Sequence, residues 1–112
     1  MAVTEATREN FDQVVGSGTT LVDVWGPDCA PCLALMPHVE KLAEARADLN
    51  VVKLEAPKAR RLCITLGVHG LPTFLLLHEG EELARLSAPT ISPSQLNKWL
   101  DESLDQMNKE AS

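Results

Sequence analysis

No run of apolar residues in this chain of 112 approaches the roughly 20 that a membrane-spanning helix needs, so an integral helical membrane protein is not expected. Basic charge is also scarce: 10 Lys and Arg stand against 16 Asp and Glu, for a net charge of −6. A chain that acidic is not expected to have nucleic acid or an anionic membrane surface as its main partner. The first ten residues lack the basic-then-apolar pattern of a secretion signal, and the expected compartment is the cytoplasm. There are no repeats, linkers or low-complexity stretches, and the length suits a single domain spanning 1–112 with its own core. With three cysteines, a four-cysteine zinc site is excluded, and the odd count leaves at least one thiol outside any pair.

What is present centres on Trp25-Gly26-Pro27-Asp28-Cys29-Ala30-Pro31-Cys32. The apolar run before it reads as a buried strand over Thr19–Trp25, and the pattern after it as a helix over 31–46. A Cys-X-X-Cys pair at a strand-to-helix turn suits thiol chemistry, because free N–H groups and the positive dipole end of the helix stabilise a thiolate. The spacing also lets the second sulfur close a small disulfide. On this reading Cys29 is the exposed attacking thiolate and Cys32 the buried thiol that resolves the mixed disulfide. The competing reading is a zinc site completed by Cys63 and a histidine such as His69.

The remaining elements follow from pattern. Residues 4–15 read as an amphipathic helix through Phe11, Val14 and Val15, ended by Gly16-Ser17-Gly18. Pro37 should kink the helix over 31–46, which buries Leu35, Met36, Val39, Leu42 and Ala43. A short strand over 50–54 precedes a helix over 58–66 that places Ala59, Leu62, Cys63 and Leu66 on one face and stops at Gly67. Strands Thr73–His78 and Glu81–Ser87 form a hairpin around Glu79-Gly80. Ser92-Pro93-Ser94-Gln95 is a capping box opening a last helix that turns Leu96, Trp99, Leu100, Leu104 and Met107 inward and frays after Met107. The alternation gives an α/β class with parallel strands first and antiparallel ones added by the hairpin.

The sequence resembles the thioredoxins. The resemblance rests on Leu21-Val22-Asp23-Val24-Trp25, on Cys29-Ala30-Pro31-Cys32, on Pro37 in the following helix and on Gly70-Leu71-Pro72-Thr73 before the hairpin, four motifs in order over nearly the whole chain. It implies a three-layer α/β/α fold with a central mixed sheet flanked by helices, and thiol-disulfide exchange that reduces protein disulfides. It also implies a flavin- and NADPH-dependent thioredoxin reductase as electron donor, and no bound cofactor or metal. The domain is expected to act as a monomer. Rival readings are a disulfide oxidase or isomerase, and a non-enzymatic binding module. Asp28 replaces the usual aromatic before the first cysteine, Ala-Pro replaces Gly-Pro, Leu33 replaces a basic residue, and Ala88-Pro89-Thr90 lacks the usual glycine. These departures leave the chemistry intact and bear on partner choice.

The resemblance further implies that Asp23, a carboxylate in an apolar strand, moves a proton to and from Cys32. Burial should raise its pKa, and Lys53 on the neighbouring strand is its expected charge partner. The alternative is a structural carboxylate. In the family the proline equivalent to Pro72 is cis and faces the cysteine pair, so Leu71 would offer backbone groups to an extended substrate. Trp25, Gly26, Pro27, Gly70 and Leu71 are candidates for an apolar docking rim, with His69 beside it. Asp28 either raises the Cys29 pKa slightly or caps the helix. Cys63 is either a small buried hydrophobe or a regulatory thiol.

Overall fold

The computed structural model describes residues 3–111. Five strands form one mixed sheet: β1 (Val3–Ala6), β2 (Thr19–Trp25), β3 (Asn50–Glu55), β4 (Thr73–His78) and β5 (Glu81–Ser87). Their spatial order is β1-β3-β2-β4-β5, with β1, β3 and β2 parallel and β4 and β5 antiparallel. Four helices cover it: α1 (Phe11–Val15), α2 (Ala30–Ala45), α3 (Arg60–Leu66) and α4 (Pro93–Ala111).

Strand alternation divides the core into two apolar layers. Val22 and Val24 face Phe11, Val15, Ala59 and Cys63, so α1 and α3 cover one side. Leu21 faces Leu35, Val39, Leu96 and Leu100, so α2 and α4 cover the other. The central strands are buried on both faces, as their continuous apolar runs require.

The N-terminal segment differs from its sequence pattern. The helix predicted over 4–15 is a strand followed by a short helix that starts at Phe11. Val3 and Thr4 lie opposite Val51 and Val52, and backbone pairing to the open edge of β3 outweighs helical periodicity there. Thr7 and Asn10 then close the turn reciprocally. Thr7 N–H donates to Asn10 Oδ1 (2.7 Å) and Asn10 N–H donates to Thr7 Oγ1 (3.2 Å).

Other departures are smaller. The helix predicted over 58–66 divides into a 3-10 turn, Ala56–Lys58, and α3. The last helix continues past Met107 to Ala111. As its spacing predicts, Pro37 lies inside helix α2, and its missing N–H deprives the Leu33 carbonyl of its helical donor.

The punctuation matches its chemistry. Glu79 (φ 50°) and Gly80 (φ 84°) both adopt the left-handed conformation that a tight two-residue hairpin requires. Ser92 and Gln95 form the reciprocal box, with Ser92 N–H donating to Gln95 Oε1 (2.7 Å) and Gln95 N–H to Ser92 Oγ (3.1 Å). Gly67 (φ 70°) ends α3, where Val68 N–H donates to Cys63 O (2.8 Å).

Leu100 is fully buried between α4 and the sheet, whereas Leu83 on β5 is 42% exposed. Leu100→Ala should lower stability by about 2–5 kcal/mol, and Leu83→Ala by no more than about 0.5 kcal/mol. Urea denaturation of the two variants checks the difference.

Candidate active site

Strand β2 ends at Trp25, and Gly26, Pro27 and Asp28 carry the chain over the sheet edge into α2. Cys29 N–H donates to Gly26 O (3.1 Å), which closes this turn. Cys29 is the N-cap of α2, with extended backbone (φ −95°, ψ 95°), and its Sγ accepts a hydrogen bond from Cys32 N–H (3.2 Å). A sulfur thus occupies the place where Ser or Asp usually caps a helix. Asp28 is exposed and lies outside the cap, so the reading of Asp28 as the capping residue is corrected: the cap is the sulfur itself.

Cys29 and Cys32 are joined by a disulfide, with Cα atoms 5.2 Å apart. Cys29 is half-buried and Cys32 is only 1% exposed. The first cysteine is therefore partly open to solvent at the mouth of a helix, and its neighbour is buried. Pro31, in the first turn, gives up no helical bond because the amides there have no intrahelical partner.

Asp23 lies on the sheet face covered by α2 and α4, 1% exposed. Among the described residues its Oδ2 has no hydrogen-bond partner. Burial disfavours the ionised form and pushes its pKa up to about 7, while the positive charge of Lys53 opposes the shift. Lys53 is directly across from Asp23 in the β2–β3 register. It acts on Asp23 at longer range than an ion pair, because its ammonium stands over the Trp25 ring, 5.7 Å from the centroid. Trp25 is half-buried.

A second segment closes the site from the other side. The Leu71–Pro72 peptide bond is cis. Thr73 Oγ1 donates to Gly70 O (2.6 Å) and shares a hydrogen bond with Ser87 Oγ (2.8 Å), fixing the bend to the start of β4. A Cβ on Gly26 would stand 3.1 Å from Leu71 Cδ1 and 3.9 Å from Pro57 Cδ. Gly26 thus lets the β2–α2 turn and the cis-proline segment approach closely. Gly70 and Pro27 are exposed, Leu71 is half-buried and Pro72 is buried.

Sequence reasoning missed Pro57. Its available signal was the register itself: β3 ends level with β2, Trp25 opposite Glu55, so the next residues must emerge beside Gly26. His69 is exposed, and Cys63 is buried on α3, where desolvation pushes its thiol pKa up. Among the described residues no three His, Cys, Asp or Glu side chains are grouped to hold a metal ion.

A sequence model of the thioredoxin family matches residues 2–102. The chain belongs to the thioredoxin family. It is 36% identical over 86 residues to thioredoxin from Acetoanaerobium sticklandii, covering 74% of this chain and 82% of that one. It is 34% identical over 82 residues to thioredoxin from Bacillus subtilis, covering 72% and 79%. Among solved structures, spinach chloroplast thioredoxin f superposes with a TM-score of 0.80 at 28% identity, over 90% of this chain and 85% of that one. Family membership and the linked Cys29–Cys32 pair make this chain a thioredoxin-type thiol-disulfide oxidoreductase.

The buried carboxyl sets a pH signature on stability. Below about pH 4 both folded and unfolded chains hold the Asp23 proton. As pH rises towards 7 the unfolded chain ionises first, so stability falls until the folded pKa of about 7 is passed. Asp23→Asn should therefore be more stable than the parent by a margin that grows between about pH 4 and 7 and then levels, on the order of 4 kcal/mol. Urea denaturation of the oxidised proteins across that range measures it.

Proposed function

We propose that Cys29 is the nucleophile of a general dithiol reductant and Cys32 its resolving thiol. The observation that carries this reading is the arrangement of one disulfide with a half-buried sulfur capping α2 and a buried partner behind it. The Cys29 thiolate attacks one sulfur of a substrate disulfide, forming a mixed disulfide and releasing the other substrate sulfur as a thiolate. Cys32 loses its proton and attacks Cys29 Sγ. The Cys29–Cys32 disulfide forms, the second substrate sulfur leaves as a thiolate, and two electrons have passed to the substrate.

Asp23 is the proposed proton acceptor for Cys32 and the proton donor in the reverse step. It is a buried carboxyl on the face under α2, with a pKa of about 7, near the working pH of a general acid-base group. Lys53 holds that pKa from rising further. Trp25, Gly26, Pro27, Gly70, Leu71 and Pro72 are the proposed docking rim, supported by the approach of Gly26 to Leu71. An extended substrate backbone would run along the Gly70–Pro72 segment.

The family implies disulfide substrates and a reductase to recharge the pair. A flavoprotein reductase fed by NADPH, a monomeric state, a place in electron transport and a cytoplasmic setting complete the proposal. What supports that setting is that a dithiol reductant must be kept reduced.

Cys29→Ser should abolish insulin reduction by dithiothreitol-recharged protein. Cys32→Ser should instead accumulate covalent adducts of Cys29 with substrate chains, visible as mass increments removed by reductant. In the reduced parent, iodoacetamide should modify Cys29 faster than Cys32; the opposite order would reverse the two roles.

A further inference from the structure

The apolar surface of the redox face extends beyond the cis-proline segment. Cys29 is tied to Gly26, and Gly26 abuts Leu71 and Pro57. Leu71 and Pro57 are in turn walls of a groove of about 370 Å³ that runs on to α3, with Cys63, Val68, Ile64 and Arg60 also lining it. Ile64 is 72% exposed, more than Leu33 (46%) or Leu83 (42%), the other large apolar side chains standing in water among the described residues. One exposed isoleucine on an α/β surface is ordinary. One at the lip of an apolar groove that shares Leu71 with the cis-proline segment is a contact surface without its contact.

The charge around the groove is as uneven as its polarity. The chain carries −6 overall, yet residues 56–66 hold Lys58, Arg60 and Arg61 and no carboxylate. Lys58 is engaged by Glu55 (3.5 Å). Among the described residues Arg60 and Arg61 form no ion pair, and Arg60 lines the groove. An acidic protein thus presents a local cationic lip on the groove whose wall Leu71 shares with the cis-proline segment, which favours a carboxylate-bearing segment there and disfavours a basic one.

We propose that this groove is a specificity subsite for protein-disulfide substrates, taking an apolar side chain flanked by carboxylates a few residues from the cysteine that Cys29 engages. The proposal rests on the redox reading of Cys29 and Cys32 and adds which sequences around a target disulfide react fastest. Ile64 and Leu71 supply the apolar walls, and Arg60 supplies the charge.

The test uses single-cysteine peptides capped as mixed disulfides with thionitrobenzoate. The reduced protein attacks the peptide sulfur and expels the coloured thiolate. Cys32 then closes the protein disulfide and frees the peptide thiol, so each turnover oxidises one protein dithiol and reduces one mixed disulfide. Three peptides carry Leu-Glu-Glu, Leu-Lys-Lys or Gly-Glu-Glu at the same distance from cysteine. The second-order rate with Leu-Glu-Glu should exceed that with Leu-Lys-Lys by roughly fivefold at low salt, and that with Gly-Glu-Glu by roughly threefold to tenfold.

Arg60→Glu should remove or invert the first ratio, and Ile64→Ser should shrink the second. Comparing ratios between parent and variants cancels the intrinsic reactivity of each peptide. Equal rates for all three peptides, or ratios unchanged in the variants, would overturn the subsite while leaving the redox reading intact. Release of no thionitrobenzoate from any peptide would overturn both. Self-association of the parent that Ile64→Ser abolishes would assign the groove to a second copy of the chain, and so also overturn the proposal.

Discussion

A sulfur atom capping a helix is the constraint from which the redox site follows. The first turn of α2 has amides that no carbonyl inside the helix can satisfy, and Cys32 N–H turns to Cys29 Sγ. That bond and the helix dipole act in the same direction, each favouring negative charge on Cys29. The same turn places Cys32 inward at the one spacing from which it can reach Cys29. Every other part of the fold keeps this helix mouth in position. Strand β2 delivers the chain to it, Gly26 allows the cis-proline segment to close against it, and the apolar layer from Leu35 to Leu104 anchors α2 to the sheet.

Asp23 is the place where the fold accepts a cost. A carboxyl group on a strand buried on both faces gains nothing for packing, and its Oδ2 lacks a partner among the described residues. Lys53 sits across from it in register, close enough for its charge to oppose the effect of burial but directed to the Trp25 ring. Desolvation therefore wins, and the group is held near pH 7, where gain and loss of a proton are almost balanced. Full pairing with Lys53 would have lowered it further and favoured the ionised form.

Local chemistry made much of this legible from residues alone. The hairpin at Glu79-Gly80, the Ser92–Gln95 box and the stop at Gly67 depend on atoms a few positions apart, and each forms as its residues require. The cysteine pair at a strand-to-helix turn belongs to the same class. Residues 3–6 do not, because their conformation is decided by β3, nearly fifty residues later in the chain. The helical spacing of Phe11, Val14 and Val15 is real but describes only the second half of the segment that carries it.

The amino-acid sequence by itself determined the strand–turn–helix that carries Cys29 and Cys32, because period, capping and turn chemistry act over neighbouring residues. It also determined that Asp23 would be buried, since the run around it has apolar side chains for both faces of the sheet. Only the tertiary structure decided that Lys53 faces the Trp25 ring, that Gly26 abuts Leu71 and Pro57, and that Arg60 and Ile64 border the same apolar surface. Those juxtapositions join segments from β2, β3, α3 and the approach to β4. Strand order and register bring them together, and no local pattern encodes that order.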